Sequence, residues 1–282
     1  LSQISFKLLK RYPKKLIAVT GTNGKSSVSD FYYQILRLNK KKVGSIGTIG
    51  IQFRGKKKTV QNTTLDPIEL RKTIEKLNLN KVDNVIMEAS SHGLKQNRLD
   101  GLLFDIGIFT NLTHDHLDYH KNFKDYFNSK LYLFQNLIKK KGSIIADSSI
   151  SQFQKIRSIA KKKNLRLLTV FGKNSELKLV SHEYENDKQV LNIKYKSKKF
   201  KIKLNLIGKV QIKNVLMAIL AALKSGNSIN EVISKIHKLK SVEGRLEKIG
   251  VLRNGAKILL DFAHTPDALE TVLSNIKQQF PK

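Results

Sequence analysis

The chain has 282 residues, of which 40% are hydrophobic and 27% are charged, and these values predict a folded protein with a buried core rather than a disordered chain. It contains no cysteine, which excludes disulfides, thiolate metal sites and cysteine nucleophiles. No apolar run reaches the ~18 residues that a membrane span needs, and no signal-peptide pattern is present, so we expect no membrane partner and a cytoplasmic location.

The formal net charge is +31, from 53 basic and 22 acidic residues, and a charge of this size is typical of nucleic-acid-binding proteins. However, 44 of the basic residues are lysines and only 9 are arginines, the residue type that recognises phosphates and bases in bidentate fashion. The lysines also lie in short runs along the whole chain. We therefore interpret the charge as solvated surface that attracts anionic metabolites, and we expect no nucleic-acid partner; a basic, nucleic-acid-stimulated NTPase is the alternative.

Short apolar runs alternate with amphipathic segments, which predicts an α/β protein with a mostly parallel sheet flanked by helices. In chain order we predict a strand at 16–20, helices at 25–38 and 67–77, strands at 82–88 and 104–110, a helix at 123–138 and a strand at 143–146. Polar-apolar alternation then predicts a small antiparallel sheet within 177–206, followed by helices at 212–224 and 229–239. A strand at 257–262 and a helix from 267 begin a further unit. Because that unit is short and the chain starts with Leu1, we expect a fragment of a longer protein.

Residues 18–27 (AVTGTNGKSS) lie between a predicted strand and a predicted helix. Glycines allow a tight turn whose N–H groups point at phosphate oxygens, and the helix N-terminus adds positive potential. Lys25 could reach the β- and γ-phosphates, and the Ser26 hydroxyl could ligate Mg²⁺. Val19 occupies the position of the first glycine in the general P-loop, so the match is to a shorter form. The segment predicts a nucleotide site.

Two further segments carry candidate metal ligands. Glu88 ends a predicted strand, where an α/β fold commonly holds a Mg²⁺ ligand beside a phosphate loop. Residues 110–120 (TNLTHDHLDYH) contain three histidines and two aspartates after another strand. Zinc is compatible with this composition, but Mg²⁺ suits a phosphate site better. For His114 and His120 a purely structural role remains open.

A lysine interrupts the apolar face of the predicted helix 123–138. Phe123, Phe127, Lys130 and Phe134 fall on one stripe at helical spacing. The side chain could snorkel, with its stem buried and its ammonium in water. Alternatively, it is a buried amine with a lowered pKa that is available for chemistry.

Taken together, these segments resemble the Mur ligases, most closely the MurE-type branch of that family. The matching segments, which keep the family's order, are 21–27, 62–64, 88–98, 110–120, 243–247 and 261–269. The resemblance implies ATP-dependent, ADP-forming addition of a diamino acid to UDP-N-acetylmuramoyl-L-Ala-D-Glu, with meso-diaminopimelate favoured over L-lysine, for peptidoglycan synthesis. Sister ligases of the folylpolyglutamate or cyanophycin synthetase type are the nearest alternatives, and a truncated, non-catalytic nucleotide-binding protein is another.

The resemblance also implies a domain organisation and a monomer. It implies that residues 1–14 are a linker from a preceding domain, that 15–241 form a P-loop-type central ATP-binding domain, and that 242–282 begin a Rossmann-like C-terminal domain, whose residues choose the amino acid. In the family that third domain closes over the nucleotide.

The implied site residues fall into four groups. Catalytic roles are implied for Lys25, Glu88, His116 and Lys130. One Mg²⁺ would be held by Ser26 and Glu88 and a second by His116 and Lys130, with Lys130 as a carbamate. The residues implied to bind ATP are Gly21, Thr22, Asn23, Gly24, Lys25, Ser26, Ser27, Asn111, Asn214, Arg245, Asp261 and His264. Those implied to bind the muramoyl-dipeptide are Asn62, Thr63, Thr64, Ser90, Gln96 and Arg98.

Three positions depart from the family pattern. The usual Phe-Asn pair before Asn214 is Val210-Gln211, and the usual Tyr after Asp261 is Phe262. Gln211 keeps a donor and an acceptor, whereas Phe262 lacks the hydroxyl.

Overall fold

The computed structural model describes residues 1–172 and 174–281, and its centre is an 11-stranded sheet with the strand order β11-β10-β9-β8-β7-β6-β1-β5-β2-β3-β4. The strands are β1 (Lys15–Thr20), β2 (Val43–Gly47), β3 (Gly50–Phe53), β4 (Lys56–Lys58), β5 (Asn84–Glu88), β6 (Phe104–Phe109), β7 (Ile138–Asp147), β8 (Arg166–Val170), β9 (Leu177–Glu185), β10 (Lys188–Tyr195), β11 (Lys198–Leu204), β12 (Glu247–Val251) and β13 (Lys257–Leu260). The helices are α1 (Ser2–Lys7), α2 (Lys25–Leu38), α3 (Pro67–Leu79), α4 (Ser91–Lys95), α5 (Phe123–Asn136), α6 (Phe153–Lys162), α7 (Val210–Lys224), α8 (Ile229–Ile236) and α9 (Pro266–Gln279).

The central part of the sheet is parallel, and antiparallel strands extend it on both sides. Strands β2, β5, β1, β6, β7, β8 and β9 run parallel to one another. The antiparallel pairings of β3 and β4 continue one side and those of β10 and β11 the other, so that β4 and β11 are the two edges of the described sheet. The predicted α/β fold class is confirmed. The antiparallel strands within 177–206 join the main sheet, however, and the separate small sheet is the β12–β13 pair.

Both faces of the sheet are covered, and strand β1 contributes to both sides of the core. Leu16 and Ala18 pack into the cluster formed with α1, α3, α5 and α6, while Ile17 and Val19 pack into the cluster formed with α2, α7 and α8. Burial on both faces explains why this strand is an unbroken apolar run. The phosphate loop follows this buried strand directly, so the strand fixes the position at which the loop begins.

The predicted elements are present, with shifts at several ends. Helix 25–38 is α2 as expected, whereas α5 ends at Asn136 and β7 already begins at Ile138. The expected linker 1–14 contains α1, whose Phe6 is fully buried. Strand β4 was not predicted because Lys56–Lys58 has no apolar residue to mark it. Lys282, the last residue of the expected third segment, lies outside the described residues.

No helix among residues 1–172 and 174–281 combines the length and apolar character that crossing a bilayer requires.

Candidate active site

The candidate site lies where neighbouring parallel strands end. Strand β1 lies between β5 and β6, and β2 lies beyond β5. Their carboxyl ends carry the phosphate loop after β1, Glu88 at the end of β5, Thr110 and Asn111 after β6, and Thr48 after β2. Parallel strands bring these groups to one edge, as α/β folds do for their ligands.

The phosphate loop requires glycine at two positions. Gly21 has φ +146° and a Cβ there would lie 1.9 Å from the Thr110 hydroxyl; Gly24 has φ +87° and a Cβ there would lie 2.7 Å from Asn214 Oδ1. The second contact places the predicted Asn214 against the loop. Helix α2 begins at Lys25, and Gly24 has no side chain with which to cap it, so the N–H groups of the first turn could bind an anion.

Asn111 holds the loop from the neighbouring strand. Its side-chain oxygen accepts a hydrogen bond of 2.9 Å from the Asn23 amide, and its main-chain oxygen accepts one of 3.0 Å from the Thr22 amide. The Thr110 hydroxyl donates to the Asn23 oxygen at 2.6 Å. Hydrogen bonds with the residues after β6 therefore hold the loop in shape.

The Lys25 ammonium is folded back onto its own loop. Its Nζ donates to the main-chain oxygens of Gly21 at 3.0 Å and Thr22 at 2.7 Å. Burial lowers the pKa of Lys25, while the charges of Glu88 and Asp115 act in the opposite direction. Two neutral carbonyls are weak partners for a half-buried ammonium, so a phosphate would be a stronger partner.

Glu88 is buried, with 2% of its surface exposed. Its carboxylate accepts hydrogen bonds from the Thr48 amide at 2.8 Å and from the Ser26 hydroxyl at 3.1 Å. Burial raises the pKa of Glu88, and the charge of Lys25 opposes that rise. A carboxylate in contact with a hydroxyl is a pair of hard oxygen donors, which fits Mg²⁺.

Lys130 is buried rather than snorkelling, with 1% of its surface exposed. Its Nζ donates to the Gly21 oxygen at 2.8 Å and lies 4.2 Å from the centroid of the Tyr126 ring. Burial lowers the pKa of Lys130 well below the ordinary lysine value, and the charge of Lys25 lowers it further. As a free ammonium it does not fit a cation; only a form with an anionic oxygen would.

The histidines of 110–120 have different surroundings. His116 adopts a left-handed φ of +53° and faces the same cavity as Lys130. His114 stacks on Phe123, and His120 is 2% exposed with Nδ1 3.4 Å from Asp125. Within the described part of the chain, no group of three or more His, Asp or Glu side chains is placed to hold a metal, so this segment gives no zinc site there.

Of the residues expected to bind the dipeptide, Thr64, Ser90, Gln96 and Arg98 form a hydrogen-bonded group beside Glu88, while Asn62 lines the same cavity. The Thr64 hydroxyl donates to the Glu88 main-chain oxygen at 2.9 Å and lies 3.0 Å from the Ser90 hydroxyl. Arg98 donates to the Thr64 oxygen at 2.7 Å and to the Gln96 side chain at 2.8 Å. The Thr63 hydroxyl lies 3.0 Å from that of Thr48.

Residues after 242 complete the other wall. Asp261 accepts from the Leu246 amide at 2.7 Å, and the Gln211 side chain donates to the Arg245 oxygen at 3.4 Å. The Arg245 guanidinium lies 5.0 Å from the centroid of the Phe262 ring, so this ring stacks on a cation although it has no hydroxyl.

One cavity of about 600 Å³ joins these groups, and every residue of the predicted site lines it except Gly21 and Gln96. Gly21 instead offers its main-chain oxygen to Lys25 and Lys130, and Gln96 orients Arg98. Lining residues that the sequence did not single out as site residues include Thr48, His92, Asp115 and Thr265. Thr48 follows a strand that was not predicted, whereas Asp115 lay within a segment already marked by its composition.

Residues 19–222 match the family model described as the Mur ligase middle domain. The chain belongs to the Mur ligase family. The matched range contains the phosphate loop, Glu88, His116, Lys130 and Asn214, whereas Arg245, Asp261 and His264 follow it.

Curated relatives of this Mur ligase chain carry the name UDP-N-acetylmuramoyl-L-alanyl-D-glutamate--2,6-diaminopimelate ligase. The protein of that name from Rickettsia montanensis is 37% identical over 269 residues, which are 94% of this chain and 55% of the relative. The one from Chelativorans sp. (strain BNC1) is 36% identical over 277 residues, 98% of this chain and 57% of the relative. The chain therefore spans little more than half the length of these relatives.

Solved structures give the same result for the fold. A structure named for that ligase superposes with a TM-score of 0.82 at 27% identity, covering 94% of this chain and 54% of the other. The ADP complex of folylpolyglutamate synthase from Mycobacterium tuberculosis gives a TM-score of 0.78 at 16% identity, covering 98% and 68%. The second likeness shows a shared fold alone.

Proposed function

We propose that this Mur ligase chain is the ATP-binding part of an ADP-forming ligase that adds a diamino acid to UDP-N-acetylmuramoyl-L-Ala-D-Glu in peptidoglycan synthesis. We favour meso-diaminopimelate over L-lysine because the relatives are named for it. The observation that carries the proposal is the shared cavity, which has the phosphate loop on one side and Thr63, Thr64, Ser90 and Arg98 on the other, with Glu88 between them.

The reaction begins with transfer of a phosphoryl group between two anions. An oxygen of the substrate carboxylate forms a bond to the γ-phosphorus of ATP, the bond from that phosphorus to the ADP oxygen breaks, and an acyl phosphate and ADP result. Lys25, which now donates only to two carbonyls, would neutralise the phosphate oxygens, and the N-terminus of α2 would orient them.

In the second step the amino group of the diamino acid forms a bond to the acyl carbon. The bond from that carbon to the phosphate oxygen breaks, the nitrogen loses a proton, and an amide and inorganic phosphate result. The Arg98 guanidinium and the Ser90 and Thr64 hydroxyls would hold the dipeptide in place during both steps.

Ser26 and Glu88 would hold one Mg²⁺, which when bound supplies positive charge beside the phosphates. For the second ion of the family, His116 and Lys130 fit only when Lys130 is carbamylated. In that reaction the neutral amine of Lys130 forms a bond to the carbon of CO₂ and releases a proton, which gives an anionic oxygen ligand. This assignment is supported by the burial of the Lys130 amine and by its hydrogen bond to a neutral carbonyl, the main-chain oxygen of Gly21.

The domain division at 1–14, 15–241 and 242–282 belongs to the same proposal, as do a monomeric state, a cytoplasmic location and the absence of a nucleic-acid partner. The scattering of lysines along the chain supports the last point.

The test measures phosphate release and ATP binding. We expect the 282-residue chain to bind Mg·ATP with little turnover, and the protein expressed from its whole reading frame to release phosphate only when UDP-muramoyl-dipeptide and a diamino acid are both present. Each diamino acid is supplied in turn to identify the substrate. Phosphate release that is indifferent to both substrates but stimulated by RNA or DNA would overturn the proposal.

A further inference from the structure

Helix α9 reaches back onto the loop that precedes α7. The Gln279 side chain is 4% exposed, and its oxygen accepts a hydrogen bond of 2.8 Å from the Gly208 amide. Its nitrogen donates to the main-chain oxygens of Asp187 at 2.7 Å and Leu206 at 3.2 Å. One buried side-chain amide therefore forms hydrogen bonds with a main-chain group that precedes β10 and with main-chain groups that follow β11.

One turn earlier on α9, Asn275 caps helix α7. Val210 is the first residue of α7, and its amide has no acceptor inside the helix. The Asn275 side-chain oxygen accepts from this amide at 3.0 Å, across 65 residues of sequence. The side chain of Lys209, at the N-cap position itself, makes no capping hydrogen bond. The cap of α7 is thus supplied by a different helix.

The capped end of α7 carries the residues that touch the phosphate loop. Gln211 follows Val210, and its oxygen accepts from the Asn214 side chain at 3.0 Å. Asn214 in turn lies so close to Gly24 that a Cβ there would meet its oxygen at 2.7 Å. A continuous set of contacts therefore runs from α9 through the first turn of α7 to the loop.

Helix α9 also meets the cavity directly. Its N-cap residue Thr265, together with Ala268 and Thr271, lines the cavity at one end of the helix, while Asn275 and Gln279 hold the 205–210 loop at the other end. A displacement of α9 would change both the wall of the cavity and the cap of α7.

We propose that Asn275 and Gln279 are positioning residues for the nucleotide site. Together they hold α7 so that Gln211 and Asn214 are placed against the phosphate loop, and nucleotide affinity depends on the seating of α9. This inference rests on the proposed ATP binding and adds to it the residues that couple the segment after 242 to the loop.

The experiment measures the affinity of the 282-residue chain for Mg·ATP by calorimetry and hydrogen exchange at the Gly208 and Val210 amides. Gln279→Met keeps the length of the side chain but removes its hydrogen bonds, and Asn275→Leu removes the cap. We expect each to weaken ATP binding roughly five- to tenfold and to speed exchange at the amide that it frees, in keeping with the worth of a helix cap.

Three controls separate positioning from general stability. Gln278→Met changes the same residue type at an exposed neighbouring position and should leave affinity within about twofold of wild type. Asn275→Asp keeps an oxygen acceptor for the Val210 amide, and a carboxylate is also favourable at a helix N-terminus. This variant should therefore bind ATP with an affinity close to that of wild type. Circular dichroism at the titration temperature checks that every variant is folded.

The outcomes are distinct. Equal ATP affinity in wild type, Gln279→Met and Asn275→Leu would overturn the inference, whether or not exchange changes. An ATP affinity of Asn275→Asp as weak as that of Asn275→Leu would overturn the capping role. Absence of ATP binding by the folded wild-type chain would overturn the proposed function, and the inference with it.

Discussion

The Nζ atom of Lys130 donates a 2.8 Å hydrogen bond to the main-chain oxygen of Gly21, 109 residues earlier in the chain. The Lys25 ammonium donates to the same oxygen at 3.0 Å. A half-buried lysine, Lys25, and a fully buried one, Lys130, therefore share one neutral acceptor. Burial lowers the pKa of both amines, and the charge of Lys25 lowers the pKa of Lys130 further. The two amines therefore favour a negative charge nearby. A bound phosphate or a carbamate formed on Lys130 would supply that charge.

Replacing Lys130 by methionine separates its chemical role from its packing. Because the acceptor of the buried Lys130 amine is the neutral main-chain oxygen of Gly21 rather than a carboxylate, Lys130→Met should keep the stability of the chain or raise it by about 1–3 kcal/mol at neutral pH. Phosphate release should fall by at least about 100-fold. Urea unfolding and the ligase assay provide the two measurements.

The proposed carbamate on Lys130 can be tested by NMR spectroscopy, with Lys130→Met as the reference. With ¹³C-labelled bicarbonate, the wild-type chain should show a carbamate carbon resonance that Lys130→Met lacks. A spectrum without that resonance in the active wild-type protein would contradict the assignment.

Lys25→Ala should abolish most of the phosphoryl transfer. The ammonium is held next to the loop that would carry the phosphates, and losing one preorganised charge of this kind costs about 10²–10³ in rate. Lys14→Ala, at a position that is 70% exposed and pairs with Asp83, serves as the control and should have no effect on phosphate release. A Lys25→Ala protein with near-normal turnover would show that the loop acts without this residue.

Gly47→Ala should displace the carboxylate of Glu88, the proposed Mg²⁺ ligand, without changing its chemical identity. An added Cβ would lie 2.1 Å from Glu88 Oε1, so the carboxylate must leave its bonds to Thr48 and Ser26. We expect the Mg²⁺ concentration needed for ATP binding to rise about 10- to 100-fold, as for other losses of the groups that orient metal ligands. Gly250→Ala, whose Cβ would meet only Ile258 at 3.6 Å, is the matched control.

Asp30→Asn should make the chain more stable at neutral pH. Asp30 is buried on α2 and accepts a 2.6 Å hydrogen bond from Gln34, and burial raises its pKa above the usual 3.8. Between 3.8 and the raised value the native state binds more protons than the unfolded state, so the free energy of unfolding falls as pH rises through that window.

Asparagine is neutral throughout and keeps an oxygen for Gln34, so the advantage of the variant should appear above this window and vanish below it. Urea unfolding of wild type and Asp30→Asn at several pH values measures the difference. A difference in the free energy of unfolding between wild type and Asp30→Asn that stays constant across the window would refute the assignment.

The sequence was sufficient to predict the part of the site that local patterns carry. The phosphate loop and Glu88 follow apolar runs that are buried on both sides of the sheet, and the carboxyl ends of such strands are where an α/β fold binds ligands. Lys130 could be marked because it breaks a helical stripe, although its contact with Gly21 depends on the neighbouring strands.

Other parts had no local signal. Thr48 follows β2, a short strand in which Gly44 and Gly47 weaken the apolar pattern. Asn275 and Gln279 cap main-chain groups that lie 65 and 71 residues away, and a cap supplied from another helix leaves no spacing rule in the sequence. These contacts are set by tertiary packing alone.

Several of the lysines lie on the two edge strands of the sheet, β4 and β11. Strand β4 is Lys56–Lys58 with all three residues exposed, and β11 presents Lys198, Lys199, Lys201 and Lys203 to solvent. An edge strand offers unpaired N–H and C=O groups to any other chain, and closely spaced lysines make that pairing unfavourable. Part of the lysine excess thus keeps the 11-stranded sheet from growing by the addition of a strand from another molecule, and so protects the protein from aggregation.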